Sequence, residues 1–111
     1  MRVLIVGSRS IADFDLSSYV PKETSLIISG GAAGVDTLAE RFSDANGISK
    51  LILRPNYARF GRAAPLKRNE QMVDIADMVI VVWDGVSRGS AHTIRYAEQK
   101  GKCVQVVRAN K

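Results

Sequence analysis

The sequence has one cysteine and one histidine, and each scarcity excludes a class of chemistry. Cys103 has no partner for an internal disulfide. Set in an apolar run, it reads as a small buried hydrophobe. His92 has neither a second histidine nor a cysteine near it, too few ligands for a metal site, so no metal is expected. No apolar run approaches the roughly 18 to 20 residues of a membrane span. The opening MRVLIVGSRS carries one basic residue before a short apolar run and lacks a cleavage site, so it reads as a first strand rather than a signal peptide. Repeats, linkers and low-complexity tracts are also missing. The expectation is a cytoplasmic protein with no membrane partner.

What is present suits one domain over residues 1–111, with 46% apolar residues to build its core. Five apolar runs recur at fairly even spacing: Val3–Val6, Leu26–Ile28, Leu51–Leu53, Met78–Trp83 and Cys103–Val107. They are mostly continuous and rich in Val and Ile, the pattern of strands covered on both faces of a parallel sheet. Segments of helical period lie between them. Val35, Leu38, Ala39, Phe42 and Ala45 share one helix face, and Gly47 is a natural stop. Pro65 suits the first turn of a helix running to about Ala76. Ser90 is placed to cap a helix that turns Ile94 and Ala97 inward and ends before Gly101. A short helix is expected over about Phe14–Val20, and Pro55–Ala64 reads as the longest irregular piece. The alternation predicts an α/β fold, a doubly wound three-layer sandwich.

In such folds ligands bind beyond the carboxyl ends of the strands, where helix N-termini present free amides. Three strand ends carry glycine turns. Gly7-Ser8-Arg9-Ser10 follows the first strand, with a hydroxyl and a guanidinium fork. Ser29-Gly30-Gly31-Ala32-Ala33-Gly34-Val35-Asp36 follows the second, and its small residues leave backbone amides open to a phosphate. It is neither a Walker loop nor G-x-G-x-x-G. Asp36 reads as an N-terminal cap partner or a binder of sugar hydroxyls, and Glu40 as solvated. Trp83-Asp84-Gly85-Val86-Ser87-Arg88-Gly89-Ser90 follows the fourth strand, with Gly89-Ser90 again suited to phosphate and Trp83 read as core. A Ser-His-Asp triad from Ser87 or Ser90, His92 and Asp84 lacks a nucleophile elbow and is set aside.

The net charge of +5 equals the excess in one stretch: Arg54, Arg59, Arg62, Lys67 and Arg68, with no acidic residue among them. Such a stretch is either a solvated basic loop or a wall of positive potential beside an anion site.

Together these motifs resemble the SLOG superfamily of Rossmann-like nucleotide-ligand proteins, which includes DprA/Smf and the LOG phosphoribohydrolases. The nearest type is the small YspA/YpsA-related domain. The likeness runs from Val3 to Val107. Gly7-Ser8-Arg9 resembles the family's G-S-R, and Ser29 through Ala39 its S-G-x-A-x-G-Ile/Val-D-x-x-A segment. Arg68-Asn69 with Met72 resembles the R-N motif, and Gly89-Ser90 with Ala97, Gly101, Lys102 and Val104 the family's ending. The resemblance implies a five-stranded parallel sheet in the order 3-2-1-4-5 with the ligand above strands one, two and four. It departs from the LOG enzymes at Thr93, where their P-G-G-x-G-T-x-x-E segment has its catalytic glutamate. A threonine supplies no carboxylate to a ribosyl centre. The flanking segments of DprA are lacking too.

The favoured expectation is a module that binds or senses a nucleotide or nucleotide-derived phosphate, with no other cofactor. Gly7, Ser8, Arg9, Gly30, Gly31, Gly34, Asp36, Arg68, Asn69, Gly89 and Ser90 form the expected ligand site. One alternative is a nucleotide or N-glycoside hydrolase using Asp36, Glu40 and Arg68. Another is single-stranded nucleic-acid binding along 54–68, with Tyr57 and Phe60 as stacking platforms; a loop clamping over a small ligand fits that stretch equally well. Self-association is open, since relatives of this type often associate and no segment here marks an interface.

Overall fold

Uninterrupted runs of valine and isoleucine need cover on both faces, and the chain supplies it from two sides. In the computed structural model, which describes residues 1–109, five strands form one parallel sheet. They are β1 (Arg2–Gly7), β2 (Leu26–Ser29), β3 (Ser49–Ile52), β4 (Met78–Trp83) and β5 (Cys103–Arg108). Their order is β3-β2-β1-β4-β5, with every neighbouring pair parallel, as expected. Because side chains alternate along a strand, β1 feeds two cores. Val3 and Ile5 join Ile27, Ile80 and Val82 under α1 (Val35–Ala45), through Val35 and Ala39. Leu4 and Val6 join Ile28, Val79 and Val81 on the other face. That face lies under α3 (Ala64–Ile75), through Met72 and Val73, and α4 (Arg88–Gln99), through Ala97. The result is a three-layer Rossmann-like sandwich.

The helix signals hold where a residue has a steric reason. Pro65 sits in the first turn of α3. Gly47 and Gly101 follow α1 and α4 with φ of 64° and 69°, the left-handed stop that glycine permits.

Five readings need correction. Phe14–Val20 forms only a single 3-10 turn, Leu16–Ser18, in which Asp15 accepts the Ser17 amide and Leu16 alone is buried. Pro55–Ala64 is not irregular. It holds a one-turn helix α2 (Tyr57–Phe60), capped by the Asn56 side chain on the Arg59 amide, and a 3-10 turn over Gly61–Ala63. The third strand lies two residues early and forms a sheet edge, with Leu51 exposed. On α1, Ser43 rather than Ala45 turns inward, and its hydroxyl donates to the Ile48 carbonyl. Cys103 is exposed, because β5 is the other edge strand and its outer flank has no neighbour.

Connections set the site. The passages from β1 to β2 and from β2 to β3 run over the α1 face, while those after β3 and β4 run over the α3–α4 face. The chain therefore leaves β1 and β4, which are adjacent, toward opposite faces. Such a switch point opens a crevice beyond the strand ends.

Candidate functional site

Beyond the ends of β1 and β4 lies a cleft of about 590 Å³, within the range of small-molecule sites. Of the expected residues, Gly7, Ser8, Arg9, Asp36, Arg68, Asn69, Gly89 and Ser90 line it. Gly30, Gly31, Gly34 and Glu40 do not. Ser10, Arg62, Leu66, Ser87, Arg88 and Thr93 line it as well. Arg62 and Arg88 were visible as basic residues, but only the fold shows that they face the same space.

Glycine packs the backbone where the loops meet. A Cβ on Gly7 would strike the Val82 carbonyl and the Val35 side chain. One on Gly30 would lie 2.7 Å from Arg68 Nη1 and 2.9 Å from Asp36 Oδ2. Gly31 sits against Arg54, and Gly34 against the Ser8 and Arg9 backbone. The amides of this loop are partly engaged within it: Gly31 donates to Ser29 Oγ at 3.3 Å and Ala32 to Asp36 Oδ2 at 3.1 Å. Asp36 thus braces the loop ahead of its own helix. Glu40 accepts a long bond, 3.4 Å, from the Ser29 hydroxyl and is partly buried rather than fully solvated.

The loop after β4 is bound to the loop after β1. Asp84 accepts the amides of Val86 and Ser87, each at 2.9 Å, and its own amide donates to Ser8 Oγ at 3.0 Å. The Ser87 hydroxyl lies 3.0 Å from both Asp84 oxygens and from Ser8 Oγ. Those two amides hold the Asp84 carboxyl at about 2, against the usual 3.8. A carboxylate depressed in the folded state adds stability above its unfolded value and loses it as pH falls through the folded one. Urea midpoints are therefore expected to drop between about pH 4 and pH 2, and Asp84→Asn should flatten that limb. An unchanged acid limb in the variant would show that the loop does not hold this carboxylate.

With its hydroxyl so engaged, Ser87, not Ser90, occupies the N-cap position of α4 and makes no side-chain cap bond. Helix α4 begins two residues before Ser90. Among the described residues, no acceptor takes the Arg88, Gly89 or Ser90 amide, whereas Ala91 already donates to Ser87 O. These are orphan donors at the positive end of a helix dipole. Nothing but Asn69 Nδ2, at 3.9 Å, approaches the space a Gly89 Cβ would fill. Asn69 Oδ1 accepts Arg68 Nε at 2.8 Å, which turns its NH2 donors toward the α4 start.

Arg68 is the buried cation of the cleft, 6% exposed. Its Nη1 donates to Gly30 O at 2.6 Å and to Leu53 O at 3.3 Å. Burial lowers its pKa, opposed by the Asp36 charge. Asp36 is 5% exposed, and burial raises its carboxyl, opposed by the Ala32 amide and Arg68. Among the described residues no other carboxylate lines the cleft. Thr93 is fully buried and donates to Gly89 O at 2.9 Å. His92 meets Glu70 at 2.8 Å rather than Ser87, Ser90 or Asp84, so no triad assembles. Trp83 packs on the core, its indole donating to Ser87 O at 3.1 Å.

Among the described residues no group of three or more His, Cys, Asp or Glu is placed to hold a metal ion, and no helix is long and apolar enough to cross a membrane. Set against models of known protein families and against curated proteins, the chain matches none.

Proposed function

We propose that the cleft binds a nucleotide or a nucleotide-derived phosphate and holds it without cutting it. The observation that carries this reading is the uncapped first turn of α4. Its amides at Arg88, Gly89 and Ser90 open onto a cleft walled by arginines. A phosphate oxygen there would take the place that a capping side chain takes in other helices. Asn69 adds a neutral donor, Arg88 a charge-assisted one, and Asp36 is an acceptor for sugar hydroxyls. Binding without hydrolysis is favoured because Asp36 is the one carboxylate of the cleft among the described residues, whereas glycosidic hydrolysis ordinarily uses two.

Gly89→Asp tests this directly. Its Cβ meets only Asn69 Nδ2, at an ordinary contact distance of 3.9 Å, and an acid in a first helical turn favours the helix, so the melting temperature should stay level or rise. The carboxylate would sit at the phosphate position, and affinity for AMP in isothermal titration should fall by roughly a hundredfold, the scale of a lost charge-assisted contact turned repulsive. AMP binding that survives the substitution would place the phosphate elsewhere. Adenine released by the wild type and not by Asp36→Asn would convert the binder into a hydrolase.

A further inference from the structure

The reading of the cleft as a nucleotide site leaves its charge unexplained. Arg9, Arg62, Arg68 and Arg88 line it against Asp36 alone, a net charge of +3. The four arginines come from four places: the loop after β1, the 3-10 turn before α3, α3 itself, and the first turn of α4. Three cations outside the cleft pair with carboxylates, Arg2 with Asp77, Lys50 with Asp44 and Lys67 with Glu70. Among the described residues, none of the four cleft arginines forms an ion pair. Arg68 is held by backbone carbonyls and Asn69. Among the described residues, the side chains of Arg9, Arg62 and Arg88 make neither a hydrogen bond nor an ion pair within the chain. The Arg9 charge opposes that of Arg68 and favours the Asp36 carboxylate, which Arg68 also favours, so one acid answers both. Arg68 is buried, while Arg9, Arg62 and Arg88 are exposed at the rim; like charges gathered around one concave space raise its potential and favour an anion that neutralises them.

We infer that the ligand carries at least two phosphate groups, as a nucleoside diphosphate does, rather than one. The first phosphate takes the α4 amides with Arg88. The second is met by the remaining arginines of the lining, Arg9, Arg62 and Arg68. A phosphomonoester brings a charge of about −2 and leaves the cleft positive; a second phosphate brings about one charge more and matches it. The fork geometry of arginine suits both phosphates.

The test is isothermal titration of the full chain at pH 7.5 with AMP and ADP, and with inorganic phosphate and pyrophosphate, at about 50 and 200 mM salt. ADP is expected to bind at least tenfold more tightly than AMP, and pyrophosphate more tightly than phosphate, with a steeper loss at the higher salt. Arg62→Ala and Arg9→Ala remove exposed side chains that make no hydrogen bond or ion pair among the described residues. Each should lower the ADP-to-AMP affinity ratio at least threefold. AMP binding as tightly as ADP in the wild type overturns the inference and leaves the nucleotide reading intact, as does a ratio unchanged in both variants. Failure of AMP, ADP and pyrophosphate alike overturns both.

Discussion

Gly34→Ala is expected to remove much of the chain's stability at 25 °C while leaving it folded. Gly34 has φ 75° and ψ −127°, a backbone conformation closed to side-chain-bearing residues. Its added Cβ would enter the carbonyls of Ser8 and Arg9, which are backbone atoms tied into the loop. Strain of this kind costs about 1–3 kcal/mol and overpacking a similar amount, so a loss of roughly 4 kcal/mol is expected. Domains of this size hold about 5–15 kcal/mol in all. Gly47→Ala is the control, because Gly47 has φ 64° but nothing within 4 Å of the new Cβ. It should cost only about 1 kcal/mol. Urea denaturation followed by circular dichroism separates the two, and equal midpoints would mean that the β1 loop and the α1 start do not meet as described.

Arg68→Met should be the most damaging change that keeps the backbone intact. Methionine fills much of the volume but abandons the carbonyls of Gly30 and Leu53 and the Asn69 side chain. It also leaves Asp36 buried with its nearest counter-charge gone. Breaking one side of such an arrangement costs about 3 kcal/mol. The Asp36 carboxyl, already raised by burial, should rise further, because the Arg68 charge opposes that rise. Asp36→Asn in the Arg68→Met background should then recover part of the loss. A double-mutant cycle measures that recovery; strictly additive losses would show that the two groups do not interact.

The sheet was legible because buried parallel strands leave continuous apolar runs. Four of the five runs fall on strands with little adjustment, and α1, α3 and α4 announced themselves through period, Pro65, Gly47 and Gly101. The errors share one cause: solvent exposure is decided by what lies alongside, which a local pattern does not encode. Cys103 and Leu51 are apolar in kind, yet both sit on edge strands. Residues 14–20 reach the core through Leu16, which is buried, with Phe14, Tyr19 and Val20 packed partly against it, yet they close only one 3-10 turn. In the site, the glycine turns were found from spacing. Not visible was that Ser87 would turn its hydroxyl to Asp84 and so leave α4 uncapped, since the hydrogen bonds linking this loop to Ser8 span more than seventy residues.

That span has a consequence for how occupancy and folding are coupled. The walls of the cleft join only when β1 has paired with β4, and Ser8 then touches both Asp84 and Ser87. No contiguous piece short of residues 6–93 contains the lining set. A partially unfolded chain that has released β1 from β4 therefore has no cleft at all, and ligand will act on the equilibrium of the entire domain rather than on one mobile loop. At a hundredfold excess over its dissociation constant, it would add about 2.7 kcal/mol to global unfolding. Amide exchange should slow by the same factor in β1, β2 and β4, including residues far from the bound phosphate.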